Sequence, residues 1–340
     1  MDKIINPELV VVMPVYNAAA FLHASISSIL SQTFQNFLFY IIDDGSTDES
    51  ASIISGFQDN RIVYCRNSSN QGIIQTLNNT FQNISAKYIV RMDADDVALP
   101  IRLQRQVEFM NKNPEITIAG SWFKTIKDKV PFRTPLMPEE IAIALLENNP
   151  IAHPSVIIRK TEWDKKKLHY SELYPHAEDF ACWINAVLKK CKLANIPEFL
   201  LLYREHNLQV SNQFKDLQSN SVEKAIKNYL YNIFPNFTSK NIDLSFSLFS
   251  NRIFTLKHYK EVKELVENNN FSNNTLNNNL LETYILTKIK LVVTNIYIVI
   301  SDPTLRLLGE ALTDKYYHQN LSLWQKLKFP IKLIKKLSLG

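Results

Sequence analysis

"ELVVVMP", residues 8–14, has an unbroken apolar centre from Leu9 to Met13. A strand with one wet face alternates apolar and polar residues, whereas a strand covered on both faces does not alternate. The chain around it repeats one scheme. After Asn17, the residues Leu22, Ile26, Ile29 and Leu30 recur at helical spacing. "FLFYIID" (37–43) is a second strand. "DGSTDESASIISGF" (44–57) then opens a helix, with Ser46 and Glu49 at capping-box spacing and Ile53, Ile54 and Phe57 on one face. "RIVYC" (61–65) is a third strand, residues 73–83 are helical, and "KYIVRM" (87–92) is a fourth strand, with Met13 and Met92 as strand core. Such alternation predicts an α/β protein built on a parallel sheet.

Open sheets of this kind bind ligands beyond the carboxyl ends of their strands. Three polar clusters fall there: "PVYN" (14–17), "DDGSTD" (43–48) and "DADD" (93–96). The last sets Asp93, Asp95 and Asp96 within four positions. Two full charges about 5 Å apart at an effective dielectric of about 20 repel by roughly 3 kcal/mol. Two readings of the residues stay open. One is a solvated acidic turn, with Asp96 capping a helix that starts near Pro100 and with Arg102 and Arg105 on that helix's solvated face. The other is a Mg²⁺ or Mn²⁺ site, in which the cation cancels the repulsion and takes phosphate oxygens. Three such clusters at one sheet edge favour the ligand site. No GxGxxG follows the first strand and no GxxxxGK[ST] occurs, so a metal is the expected holder of a pyrophosphate.

Composition sets the limits. The chain has 340 residues, 46% hydrophobic and 21% charged, which is enough for two domains. A net charge of +5 suits an anionic ligand or surface and makes no case for nucleic acid. Cys65, Cys182 and Cys191 form neither a disulfide framework nor a zinc pattern, so the expected compartment is a reducing cytoplasm. No secretory signal is expected at residues 1–15. "LVVTNIYIVI" (291–300) is too short to span a bilayer. Residues 115–205 mix short strands, turns and helices, and beyond about 213 the chain is mostly helical, with a boundary expected near 212. The Asn-rich 267–279 is a polar loop or helix connection.

The motifs together, "VVMPVYNAAAFLHASISSILSQTFQNFLFYIIDDGSTDES", "NQG" (70–72), "MDADD" (92–96) and "AEDFACW" (177–183), resemble the family 2 glycosyltransferases over about residues 7–212. The resemblance implies a GT-A fold, a Rossmann-like mixed sheet, for residues 1–212 and an inverting, metal-dependent sugar transfer from a nucleotide-sugar, with 213–340 a helical C-terminal extension. It implies that Pro14, Tyr16 and Asn17 line the nucleotide, with Tyr16 against the base. Asp44, with Asp43 assisting, would hydrogen-bond the base, often uracil, and Asn70 and Gly72 would line the pocket. Asp93 would face the ribose or a metal-bound water, and Asp95 would ligate Mn²⁺ or Mg²⁺. Glu178 and Asp179 match the pair that supplies the catalytic base, with Asp179 the better candidate. "YREHNLQVS" (203–211) resembles a late basic loop whose Arg204 and His206 face the diphosphate or metal. "AHPSVIIRK" (152–160) resembles a segment of enzymes decorating bacterial surface glycans, lipooligosaccharide, O-antigen or capsule, and implies that His153 lies near the acceptor.

The chemistry gives these roles a partly independent basis. A departing nucleoside diphosphate builds negative charge that a divalent ion offsets. A sugar hydroxyl is a poor nucleophile and needs a carboxylate to accept its proton. A glycan- or nucleotide-sugar-binding module without turnover and a nucleotidyltransferase are the alternative functions. At the C-terminus, Trp324, Leu327, Ile331, Ile334 and Leu337 recur at helical spacing among lysines. Residues 322–339 thus read either as a basic amphipathic helix on the inner membrane's cytoplasmic face or as an ordinary surface helix broken at Pro330.

Overall fold

The computed structural model describes residues 7–206, 214–250, 261–262, 264–266 and 275–299. The first half follows the expected scheme closely. Strand β1 (Leu9–Val15) is followed by α1 (Ala19–Leu30), β2 (Phe37–Asp43), α2 (Ser50–Ser55), β3 (Ile62–Arg66), α3 (Ile73–Asn83) and β4 (Tyr88–Arg91). These four strands lie side by side and parallel in the order β3-β2-β1-β4. The three polar clusters therefore meet at one edge.

Beyond β4 the sheet becomes mixed. A short β5 (Val97–Ala98), α4 (Arg102–Lys112), β6 (Ile116–Thr125), β7 (Pro131–Phe132), α5 (Pro138–Ala144), β8 (Ile157–Arg159), α6 (Lys160–Lys165), α7 (Glu178–Leu188) and β9 (Lys192–Tyr203) complete it. The nine strands run β3-β2-β1-β4-β8-β6-β9-β5, with β7 hairpinned onto β6. β8 is antiparallel to both β4 and β6, and β5 to β9. β9 carries Pro197 where the register jumps from Ser121↔Ile196 to Trp122↔Phe199. A bulge of this kind tolerates a residue without a backbone N–H.

Alternation along β1 explains its apolar run. Leu9, Val11, Met13 and Val15 face α1 and α4, packing with Leu22, Ile26, Leu103 and Val107. Val10 and Val12 face the opposite core, which holds Leu77, Phe81, Phe180 and Trp183. That second core continues through the helices α8 (Lys215–Ile233) and α9 (Ser239–Phe249), to which it adds Ile226, Tyr229, Phe246 and Phe249. Tyr229 donates its hydroxyl to the carbonyl of Ala142 at 3.1 Å. α10 (Asn278–Val299) follows the Asn-rich segment, most of which lies outside the described residues, as do the boundary expected near 212 and the C-terminal 322–339. No helix among the described residues is long and apolar enough to cross a membrane.

Three local expectations are corrected. The helix after β2 begins at Ser50 without a capping box, because Ser46 is used elsewhere. Asp96 caps no helix: α4 starts at Arg102 after Ile101, and the Asp96 carboxylate accepts the backbone N–H of Arg204. Arg102 is wholly buried rather than solvated. Its guanidinium donates to the carbonyls of Arg91 at 2.8 Å and Pro154 at 2.6 Å, so it serves as an internal tie between β4 and the turn before β8. Arg105 stays on the surface, paired with Glu108 and Glu198.

Candidate active site

The N-terminus of α1 shows why the second polar cluster has its composition. A helix leaves its first N–H groups without intrahelical acceptors. Here they are met by side chains from the turn after β2. Asn17 N–H donates to Ser46 Oγ, Ala18 N–H to Ser50 Oγ and Ala19 N–H to Asp48 Oδ2, each at 3.0 Å. In return the Asn17 side-chain carbonyl accepts the N–H of Thr47 at 2.8 Å, with Asn17 itself at φ 49°. The first two clusters are thus one clasp. Asp48→Ala is expected to cost about 1–2 kcal/mol, the ordinary value of a lost helix cap, seen as a lower urea midpoint with an unchanged slope.

The carboxylates of this clasp are largely committed. Buried Asp43 accepts the N–H of Ser46 at 2.8 Å and the Tyr64 hydroxyl at 3.2 Å, and pairs with Arg66 at 3.2 Å. Asp44 accepts from Asn67 Nδ2 at 2.7 Å and from the N–H groups of Gln71 and Gly72 at 3.0 and 2.9 Å. Asn70 Oδ1 also accepts from Gly72 N–H, at 2.8 Å. Gly72 sits at φ 85°, a conformation that side chains resist. Gly45 sits at φ 74°, and a Cβ there would lie 2.7 Å from the carbonyl carbon of Ser69 and 2.8 Å from the nitrogen of Asn70. Tyr16 projects from the end of β1 with 49% of its surface exposed, and Pro14 is half-buried beside it. The sequence reading passed over Asp48, Ser50, Tyr64, Arg66 and Asn67. Asp48 and Ser50 stand in the same "DGSTDES" whose Ser46 and Glu49 read as a capping box for the following helix, and they cap α1 instead.

Beyond β4, the carboxylates of Asp93, Asp95 and Asp96 present oxygens within 4.8 Å of one another. Asp93 pairs with Arg91. Asp95 Oδ2 lies 2.9 Å from His206 Nε2, and its carbonyl accepts Arg204 Nε at 2.7 Å. Asp96 Oδ1 accepts Arg204 N–H at 2.8 Å, while its Oδ2 is buried without a partner. Arg204 also lies over the Phe21 ring at 4.8 Å, and His206 packs on the same ring. Residues 204–206 are therefore pinned between α1 and the acidic turn. Desolvation pushes Asp93 up to about 6 against the pull of Arg91, and raises Asp96 well above the carboxylate range. Clustered hard oxygen donors with one unpartnered buried oxygen fit a Mn²⁺ or Mg²⁺ ion.

A second acidic pair stands at the N-terminus of α7. Glu178 is buried, its Oε2 has no partner, and burial with the nearby Asp179 charge pushes it up to about 7. Asp179 is half-buried; Oδ2 accepts from Asn149 Nδ2 at 2.8 Å and Oδ1 from the N–H of Phe180 at 2.7 Å. Its pKa is raised by desolvation, partly offset by that N–H and by Arg91. His153 is buried, its Nε2 3.0 Å from the Tyr170 hydroxyl, and packs against Trp183. Desolvation and the Arg91 charge lower its pKa well below the usual range and keep it neutral.

These shifts carry a sign. Asp93 and Glu178 have folded pKa values above their ordinary ones, so they contribute stability at low pH that is lost as pH rises through about 6 and 7. In EDTA, the unfolding midpoint is expected to fall by roughly 5 °C between pH 5 and pH 8. A flat or rising midpoint in a fluorimetric melt would contradict the desolvation described.

Comparison with known proteins agrees with this architecture. The family model described as "Glycosyl transferase family 2" matches residues 10–177. An uncharacterized glycosyltransferase of Haemophilus influenzae is 35% identical over 232 residues, covering 64% of this chain and 72% of the relative. The Escherichia coli protein WfaP, a UDP-Glc:alpha-D-GlcNAc-diphosphoundecaprenol beta-1,3-glucosyltransferase, is 32% identical over 219 residues, covering 64% of this chain and 85% of WfaP. Residues 1–349 of Staphylococcus aureus TarS, solved with UDP-GlcNAc, superpose with a TM-score of 0.57 at 15% identity, covering 85% of this chain and 84% of that one. That likeness establishes the GT-A fold, including part of the helical C-terminal region. With this sheet, these motifs and a relative of such identity and coverage, the chain belongs to glycosyl transferase family 2 and is a glycosyltransferase.

Proposed function

We propose that the protein transfers one sugar from a UDP-sugar, with inversion, to a bacterial surface-glycan acceptor, and that it requires a divalent cation. The observation that carries this reading is the pairing of two acidic groups at one edge of the sheet. Asp93 of the Asp93–Asp95–Asp96 cluster and Asp179 are more than 80 residues apart in the chain, yet the Asp179 charge helps to raise the Asp93 carboxyl. The donor and acceptor classes are supported by WfaP and by WfgD, another E. coli glucosyltransferase that uses UDP-Glc and an undecaprenol-linked acceptor and is 28% identical over 212 residues.

In this reading Asp95 and Asp96, with Asp93 and His206 beside them, hold Mn²⁺ or Mg²⁺. The ion supplies Lewis-acid neutralisation of the diphosphate leaving group. Arg204, anchored on the acidic turn, adds a permanent positive charge next to the phosphates. Tyr16 stacks on the base, and the clasp built around Asp43, Asp44, Asn70 and Gly72 forms the pocket wall. Asp179 takes the proton of the acceptor hydroxyl as the new bond forms. Desolvation makes its carboxylate a stronger base than a solvated one, and Asn149 fixes its orientation.

The test is a panel of UDP-sugars assayed with Mn²⁺ and with EDTA, first for donor hydrolysis and then with undecaprenyl-linked acceptors. Metal-dependent release of UDP is the expected product. Release of pyrophosphate would point instead to nucleotidyl transfer, and tight UDP binding without turnover on any donor would point to a binding module.

A further inference from the structure

Arg91, the last residue of β4, is 2% exposed. Its strand neighbours Val90 and Met92 pack on the α1/α4 side, so alternation turns Arg91 to the side covered by α7. There its guanidinium pairs with Asp93, while Nε and Nη1 have no partner. A guanidinium offers five donors and cannot shed its charge. Leaving these two nitrogens, which carry three of the five N–H donors, unpaired in a protein interior is costly, and calls for a use. The groups that act on it are Asp93, Asp179 and Tyr170, and it bears in turn on Glu178, His153, Asp96, Arg102 and Tyr203. Tyr170 and His153 are hydrogen-bonded to each other, with His153 neutral. Glu178 Oε2, like the Arg91 donors, is buried without a partner. The remaining buried arginine nearby, Arg102, is occupied by the carbonyls of Arg91 and Pro154. Asp93 and Asp179 repel each other, and both are drawn to Arg91.

We propose that Arg91 is a positioning residue for sugar transfer: it holds Asp93 out of the cation's coordination shell, leaving Asp95 and Asp96 to the cation, and sets a fixed positive charge between that cluster and Asp179. This rests on the metal-assisted reading above. It has a consequence that a merely structural arginine does not share. Neutralising Arg91 releases Asp93 toward the cation and removes a like charge from the ion's surroundings, so the cation binds better while transfer becomes worse.

The experiment uses the full chain and Mn²⁺ alone, titrated at pH 8.0 by the electron paramagnetic resonance of free Mn²⁺, beside steady-state transfer. Arg91→Met and Arg91→Gln are made together, so that one folded neutral variant is enough. Arg91→Lys keeps the charge. In the neutral variants Mn²⁺ is expected to bind about fivefold or more tighter, with kcat down about 100-fold and donor KM changed less than about threefold. Arg91→Lys is expected to keep Mn²⁺ affinity within about twofold of wild type and to recover most of kcat. Unchanged or weaker Mn²⁺ binding in the folded neutral variants, or a lysine variant that matches them, overturns the assignment of Arg91. Failure of the wild-type protein to bind Mn²⁺ at all overturns the metal-assisted reading instead.

Discussion

Asp179→Asn is expected to bind UDP and Mn²⁺ as the wild-type protein does and to lose transfer by about 10³-fold, within the range found when a positioned general base is removed. The substitution is nearly isosteric. The side-chain oxygen that remains can still accept from Phe180 N–H or Asn149, so the start of α7 is preserved. What disappears is the capacity to accept a proton from a sugar hydroxyl. Calorimetry with UDP and Mn²⁺ should give wild-type affinity, and a product assay should give background turnover. Substantial residual transfer would move the base to Glu178, whose carboxyl is more deeply buried and pushed up to about 7. In that event Glu178→Gln becomes the inactive variant. Loss of UDP binding in Asp179→Asn would instead mean that α7 shapes the donor pocket.

Asp95→Asn is expected to fail earlier in the cycle. Its carboxylate faces His206 and stands among the three clustered acids. An amide contributes no charge to a cation and can turn its NH₂ toward it. Metal-dependent UDP binding should weaken by about 100-fold or more and transfer by about 10³-fold, equivalent to a loss of about 4 kcal/mol. UDP affinity in EDTA should be unchanged, because that measurement excludes the cation. Equal affinity for UDP with and without Mn²⁺ in the wild type, or an Asp95→Asn variant that retains the metal effect, would remove Asp95 from the metal site.

The parts legible in the sequence were those set by short-range pattern. β2 coincides with "FLFYIID" and α3 with residues 73–83, because an apolar run or a helical stripe is written within one element. The edge position of the three polar clusters followed from strand parallelism, and the structure brings them together. Contacts closed across long separations were not legible. Ser46, Ser50 and Asp48 cap a helix about 30 residues earlier in the chain, which spacing cannot distinguish from capping the helix that follows. Arg102 looked like any charged residue on a helix face. Its burial depends on carbonyls of β4 and of the turn at Pro154, 52 residues away. Asp96 likewise found its partner in Arg204, 108 residues on. The change from a parallel to a mixed sheet after β4 depends on β8, only three residues long and without periodicity, so the family resemblance implied it where the residue pattern alone gave a parallel sheet.

Gly45 has a practical corollary for anyone wishing to alter donor preference. The turn after β2 and the backbone at Ser69–Asn70 touch through the absence of a side chain. Any replacement there wedges two loops apart and at once disturbs the helix they help to start. With Tyr16 against the base, as proposed, libraries directed at a different nucleobase belong at that exposed ring, and the glycine should be held fixed throughout such a campaign.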